Sequence, residues 1–179
     1  VRAGVKAPRD RGFAAAWTPI PGPTPRMRSY LGLTLARNGR VAVQFSAGCD
    51  RRCAFCLEPR LTGHQVFPRP AAEIVAEILA LAQAGVRRFW LTASELNVPN
   101  DRHAIAVLKG LAGKGLDLAG FLQAAPVSDA LLDAMEGAGM DPESVNYEFG
   151  HLDDRILRAG GGPANRRQID VLLERYLRR

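Results

Sequence analysis

At 179 residues the chain is long enough for one domain with a substantial core, and its composition, 47% hydrophobic and 23% charged, is that of an ordinary globular protein. No apolar run approaches the ~20 residues that cross a bilayer; the longest candidate, Ile74 to Ala84, is interrupted by Glu77 and Gln83, so no membrane is expected. The net charge of +6 is scattered over pairs such as Arg51-Arg52, Arg87-Arg88, Arg166-Arg167 and Arg178-Arg179, without a basic stripe interleaved with aromatics, and nucleic acid is not the expected partner either.

Residues 1 to about 28 contain Pro8, Pro19, Pro21, Pro23 and Pro25. Prolines at that density remove backbone donors and fix φ, which predicts an irregular arm or linker ahead of a core over residues 29–179. The chain starts at Val1, which hints at a fragment of something longer. It shows no charged-then-apolar leader, so the cytoplasm is the expected compartment. Val41 to Ser46 is apolar and β-branched and leads to Gly48, the pattern of a buried strand.

Directly after that strand comes Cys49-Asp-Arg-Arg-Cys53-Ala-Phe-Cys56, which holds the chain's 3 cysteines. Thiolates are the usual protein ligands of iron–sulfur clusters, and three on one short loop can hold three corners of a cubic cluster. The fourth iron is then open to an exogenous ligand, which suggests chemistry on a bound molecule rather than electron storage. Simpler readings compete. A disulfide framework uses cysteines in pairs and leaves one over. A zinc site needs a fourth ligand, and the nearest candidate is His64, eight residues after Cys56. A non-catalytic metal-binding module, with zinc or an electron-transfer cluster, is therefore the rival reading. Inert buried thiols are common, but Asp50, Arg51 and Arg52 would make an odd core. A metal-binding cysteine cluster also suits a reducing compartment.

Pro70 suits the first turn of a helix in which Ile74, Ile78 and Leu81, with Val75, Leu79 and Ala82, share one face until Gly85. Arg88 to Thr92 reads as the second strand, with Trp90 an anchor in its core, and Trp17 reads as an anchor too. At this strand's exit stand the polar residues Ser94, Glu95 and Asn97. A carboxylate and an amide there can accept hydrogen bonds from an ammonium group; the plainer reading is a turn before Pro99. Asp101 to Lys114 carries Ile105, Leu108 and Leu111 at helical spacing. Leu118 to Ala124 is the third strand, and Ser128 can cap a helix holding Leu131, Leu132 and Met135. Val145 to Phe149 is the fourth strand. A short helix over Asp153 to Arg158 breaks at Gly160-Gly161-Gly162-Pro163, which lacks the lysine of a phosphate loop and reads as a hinge. The last helix starts near Asn165 with Ile169, Leu172, Leu173 and Tyr176 inward. His64 and His103 have no partners at triad or ligand spacing and read as surface or packing residues.

Strands alternating with helices give successive βα units, a parallel sheet and right-handed crossovers, with the chemistry at the carboxyl ends of the strands. The cysteine loop begins at that edge. A complete eight-unit barrel takes about 250 residues, so the expected fold class is α/β, a partial TIM-type (β/α) barrel.

The cysteine spacing, with the aromatic Phe55 before the third cysteine, closely resembles the signature of radical S-adenosylmethionine (SAM) enzymes, and the resemblance covers roughly residues 40 to 177. That family usually builds a six-unit partial barrel, so about four of an expected six units are present. The resemblance implies that Cys49, Cys53 and Cys56 bind a [4Fe–4S] cluster whose open iron chelates the amino and carboxylate groups of SAM. One electron then cleaves SAM to methionine and a 5′-deoxyadenosyl radical, which abstracts hydrogen from substrate. Ser94-Glu95-x-Asn97 resembles the Gly-Gly-Glu segment that receives the methionine amino group, in a form found in several cobalamin-carrying subgroups. Cobalamin would then be bound by a domain outside this chain, where methylation is one reaction implied; the chain itself has no Asp-x-His-x-x-Gly stretch. Val145 to Leu157 resembles the fourth-strand segment in which an acidic or hydroxyl residue meets the ribose. Gly150 stands where the acidic residue is often seen, which leaves Glu148 and His151 as the candidates. The cofactor-binding set is thus Phe55, Ser94, Glu95, Asn97, Glu148 and His151. The partners implied are a small-molecule or peptide substrate and an electron donor such as flavodoxin or ferredoxin. A fourth strand left as a bare edge predicts self-association of the isolated chain.

Overall fold

The computed structural model describes residues 39–147, 151–161 and 165–178. The proline-rich arm, Trp17, Glu148, Gly150 and the Gly162-Pro163 pair lie outside the described residues. In chain order the elements are β1 (Val41–Gln44), β2 (Ser46–Gly48), α1 (Glu58–Leu61), β3 (Val66–Pro68), α2 (Ala71–Gln83), β4 (Arg88–Thr92), α3 (Arg102–Leu111), β5 (Asp117–Leu122), α4 (Asp129–Ala138), a 3-10 turn over Pro142–Ser144, β6 (Val145–Tyr147), α5 (Asp154–Ala159) and α6 (Arg166–Leu177).

The main sheet has the order β1-β4-β5-β6 and is parallel throughout. Sheet order follows chain order because each strand is returned to the same edge by a crossover helix, as successive βα units require. Phe89 and Leu91 of β4 and Leu118 and Leu122 of β5 are fully buried with Ile74 and Ile78 of α2. Burying such apolar side chains contributes roughly 1.5–3 kcal/mol each. The α/β partial barrel expected from the sequence is the fold observed.

Local differences have physical reasons. The strand expected over Val41 to Ser46 stops at Gln44. Phe45, 1% exposed, gives its N–H to Thr92 O and its carbonyl to Arg69 N, and beyond it the chain leaves the main sheet. Ser46–Gly48 then pairs antiparallel with Val66–Pro68 as a separate two-stranded ribbon. The third strand ends at Leu122 rather than Ala124, leaving Gln123 at its exit, and the fourth is described to Tyr147. Trp90 is half-buried and lies edge-on to Phe121, ring centroids 5.1 Å apart, on the opposite strand face from Phe89 and Leu91. In α6, Ile169 and Leu172 are buried, while Leu173, one residue round the helix, is 45% exposed rather than inward.

The amino ends of the strands are tied together far from the cysteines. Asp117 accepts from Arg40 at 2.5 Å and from Arg88 at 2.8 Å, and Arg40 also donates to Ser144 Oγ at 3.2 Å. Partial burial favours the protonated carboxyl, but Arg88 and Arg40 outweigh it and hold Asp117 below the ordinary carboxylate value.

Candidate functional site

The cysteine loop opens at Gly48, where φ is +79° and an added Cβ would collide with the Gln65 carbonyl. Only glycine takes that turn without strain, and the turn buries Cys49 to 6% exposure at the edge of the sheet. Four separate parts of the chain hold the loop. From α1, Glu58 Oε1 accepts from Gly48 N at 3.2 Å, and from the exit of β4, Ser94 Oγ donates to Gly48 O at 3.1 Å. Between α1 and β3, His64 Nδ1 donates to the Arg51 carbonyl at 2.9 Å. Beyond α5, Gly160 O accepts from Ala54 N at 2.9 Å, and Cys53 Sγ lies 3.9 Å from Gly161 O. The glycines expected to form a hinge are thus, at Gly160 and Gly161, the seat of the cysteine loop. Gly161 has φ +68°, and a Cβ there would sit 2.6 Å from Arg52 O.

All three cysteines are free thiols. Cys53 and Cys56 face a cavity of about 210 Å³ that Arg52, Pro59, Arg60 and His64 also line. Burial pushes the Cys49 thiol up to about 11, and the negative charges of Glu95 and Asp50 add to this against the opposing backbone hydrogen bond at Arg51. Burial and then Glu95 raise Cys53 as well. In such surroundings thiolates need positive metal beside them, and a ligand set made of thiols alone suits iron–sulfur. Among the described residues no three His, Cys, Asp or Glu side chains converge closely enough to chelate one ion. A cluster spreads its irons over the corners of a cube and spaces its thiolates accordingly. The donor set fits the cluster.

The segment after β4 supplies the polar wall. It lies back across β5, Leu96 N donating to Phe121 O at 2.8 Å, and Gly120 makes room for it, since a Cβ there would meet the Leu96 side chain at 2.8 Å. Glu95 sits beside the cysteines and accepts from Gln123 Nε2 at 2.5 Å. Asn97, 1% exposed, is spent within the protein. Its Oδ1 accepts from Gln123 N at 2.9 Å, and its Nδ2 donates to Gln123 O at 3.2 Å and Pro126 O at 3.0 Å. It braces the exit of β5 instead of presenting an amide to a ligand. Phe55 is 78% exposed. His151 is exposed before α5, where its Nδ1 accepts from Asp153 N at 2.8 Å. The structure therefore gathers the cysteines, Ser94 and Glu95 at one edge. It adds three residues the sequence reading did not single out for the site, Glu58, Gln123 and Gly161, of which only Gln123, a lone amide in Phe121-Leu-Gln-Ala-Ala125, leaves a trace in the pattern.

The chain is similar to known proteins over this same stretch. The Radical SAM superfamily family profile matches residues 43–178. The ribosomal protein uS12 methylthiotransferase RimO of Streptomyces griseus is 27% identical over 161 residues, covering 86% of this chain and 32% of the relative. The tRNA-2-methylthio-N(6)-dimethylallyladenosine synthase of Cereibacter sphaeroides is 34% identical over 139 residues, 73% of this chain and 29% of the relative. The chain thus spans about a third of the length of these curated relatives. Among solved structures, the radical SAM methyltransferase TsrM from Kitasatospora setae, with tryptophan and a SAM analogue bound, superposes with a TM-score of 0.68 at 25% identity, over 78% of this chain and 28% of that one. Another structure of that enzyme contains cobalamin and a [4Fe–4S] cluster. With a match across most of its length that includes all three cysteines, the chain belongs to the radical SAM superfamily, whose members use a [4Fe–4S] cluster and SAM.

Proposed function

We propose that this chain is the core of an enzyme that binds a [4Fe–4S] cluster through Cys49, Cys53 and Cys56 and cleaves SAM beside it to modify a substrate. The observation that carries this reading is the placement of three free thiols, on a loop braced from four sides, against Glu95 at the carboxyl edge of a parallel sheet. When bound, the cluster supplies the electron that breaks a carbon–sulfur bond of SAM. The protein supplies the rest. Glu95 receives the SAM ammonium in a charge-assisted hydrogen bond. Ser94 fixes the distance between that carboxylate's segment and the cysteine loop through Gly48. Phe55 offers an exposed ring to the nucleoside, and Glu148 or His151 meets the ribose. The relatives' names support methyl or methylthio transfer as the reaction, on a small-molecule, peptide or RNA substrate. The cobalamin held by the structural relative supports a cobalamin domain outside this chain. Flavodoxin or ferredoxin is the class of electron donor.

Anaerobic reconstitution tests the reading. Cluster binding yields about four iron and four sulfide per chain and an electron paramagnetic resonance signal that changes when SAM is added. Uptake of zinc alone, or a cluster signal indifferent to SAM, overturns it.

A further inference from the structure

Gln123 is the most unusual polar residue in the described structure. It is 1% exposed, yet its Oε1 has no hydrogen-bond partner. Buried polar atoms without partners are rare, and one facing a ligand site commonly marks a group waiting for that ligand. The orientation of the amide follows from its neighbour, because a carboxylate only accepts. Nε2 must face Glu95 Oε2, 2.5 Å away, and Oε1 is therefore the unsatisfied atom. Its position is also fixed. Asn97 binds both the N–H and the carbonyl of the Gln123 backbone, so the side chain leaves from a clamped residue at the end of β5.

Resting on the assignment of the SAM ammonium to Glu95, we infer that Gln123 is the second acceptor for that ammonium, its Oε1 taking one N–H while its Nε2 steadies the carboxylate that takes another. An ammonium carries three donors, and a single carboxylate oxygen leaves the others to find acceptors. The lone acceptor of Gln123 is the one buried oxygen beside Glu95 left unsatisfied among the described residues. The local charge agrees, since Glu95 already raises Cys49 and Cys53, and a cationic group is the ligand such a corner favours. Gln123 is on this reading a binding residue contributed by the third strand of the barrel, opposite the loop that carries Glu95.

The test uses the 179-residue chain, reconstituted anaerobically, with iron content measured for each variant. Affinities are taken by equilibrium dialysis for two probes, SAM and 5′-methylthioadenosine, which keeps the nucleoside and the sulfur but lacks the amino acid. Gln123→Leu, with Gln123→Met beside it in case one packs poorly, is expected to retain iron and its affinity for 5′-methylthioadenosine while binding SAM roughly tenfold or more weakly. Gln123→Glu shares a proton with Glu95, and so keeps one donor and one acceptor; it is expected to hold SAM within a few-fold of the parent. Equal losses for both probes, or loss of iron, would assign Gln123 a structural role only and overturn the inference. Unchanged SAM affinity in the Leu or Met variant, with Glu95→Gln weakened, also overturns it and leaves Glu95 as the sole acceptor. If Glu95→Gln binds SAM like the parent, the underlying assignment falls instead.

Discussion

Replacing Gly161 by alanine probes the seat of the cysteine loop. The added Cβ would stand 2.6 Å from Arg52 O and 3.5 Å from Cys53 Cα, against ordinary contacts of 3.4 Å or more, so the backbone must open by about 0.8 Å (3.4 minus 2.6). Arg52 O is a main-chain atom and cannot swing aside. The left-handed φ of +68° adds a backbone penalty of its own, about 1–2 kcal/mol for a residue with a Cβ. Gly113 separates the two effects. It has the same φ of +68° but nothing within 4 Å of its would-be Cβ, so Gly113→Ala carries the backbone penalty without the collision. Both variants should stay folded, because a domain of this size has ~5–15 kcal/mol in hand, and each should melt about 2–8 °C lower. Only Gly161→Ala should load less iron, several-fold less than the parent under matched anaerobic reconstitution, because only it displaces the segment between Cys49 and Cys53. Equal iron loading in the two variants would show that the Gly160–Gly161 turn does not position the cysteines.

Two further outcomes concern the frame around the site. Asn97→Ala removes three buried hydrogen bonds and strands the Gln123 backbone groups and Pro126 O, so denaturant unfolding should show a loss of about 3 kcal/mol; a loss below about 1 kcal/mol would mean that water replaces the amide at little cost. Asp117 has its folded pKa lowered, so its contribution is present above the unfolded value and fades as pH falls through the acidic range, from about pH 4 downward. The carboxylate is partly exposed and screened, which limits the contribution to about 0.5–1 kcal/mol. Asp117→Asn should abolish that part of the acid sensitivity, and an unchanged stability–pH profile would refute the assignment.

The sequence disclosed what periodicity and spacing encode. Ile74, Ile78 and Leu81 lie on one helical face as expected, Ser128 accepts from Leu131 N as the cap of α4, and the cysteines follow a strand at the carboxyl edge. What it hid depends on contacts between distant residues or on segments too short to show a period. The ribbon of Ser46–Gly48 with Val66–Pro68 is made of three-residue strands, one ending in proline, and proline argues against a strand interior. Asn97 looks like a turn former before Pro99, and its work as a brace appears only when Gln123, 26 positions later, arrives beside it. The glycines at Gly160 and Gly161 read as flexibility because nothing local shows the Arg52 carbonyl that makes small size the requirement.

The contact between Cys53 and Gly161 also has a temporal side. The two residues are 108 positions apart. At ribosomal rates of ~5–20 residues per second, the thiols emerge on the order of 5–20 s before the turn that seats them exists. During that interval the loop can lean only on partners close behind it, Glu58 and His64 and then Ser94. Metal delivered early meets an unfinished socket, while metal delivered after release meets a complete one. Maturation of this chain is therefore ordered by its own topology, and a cell that starves it of iron accumulates a finished fold with three exposed-edge thiols open to oxidation.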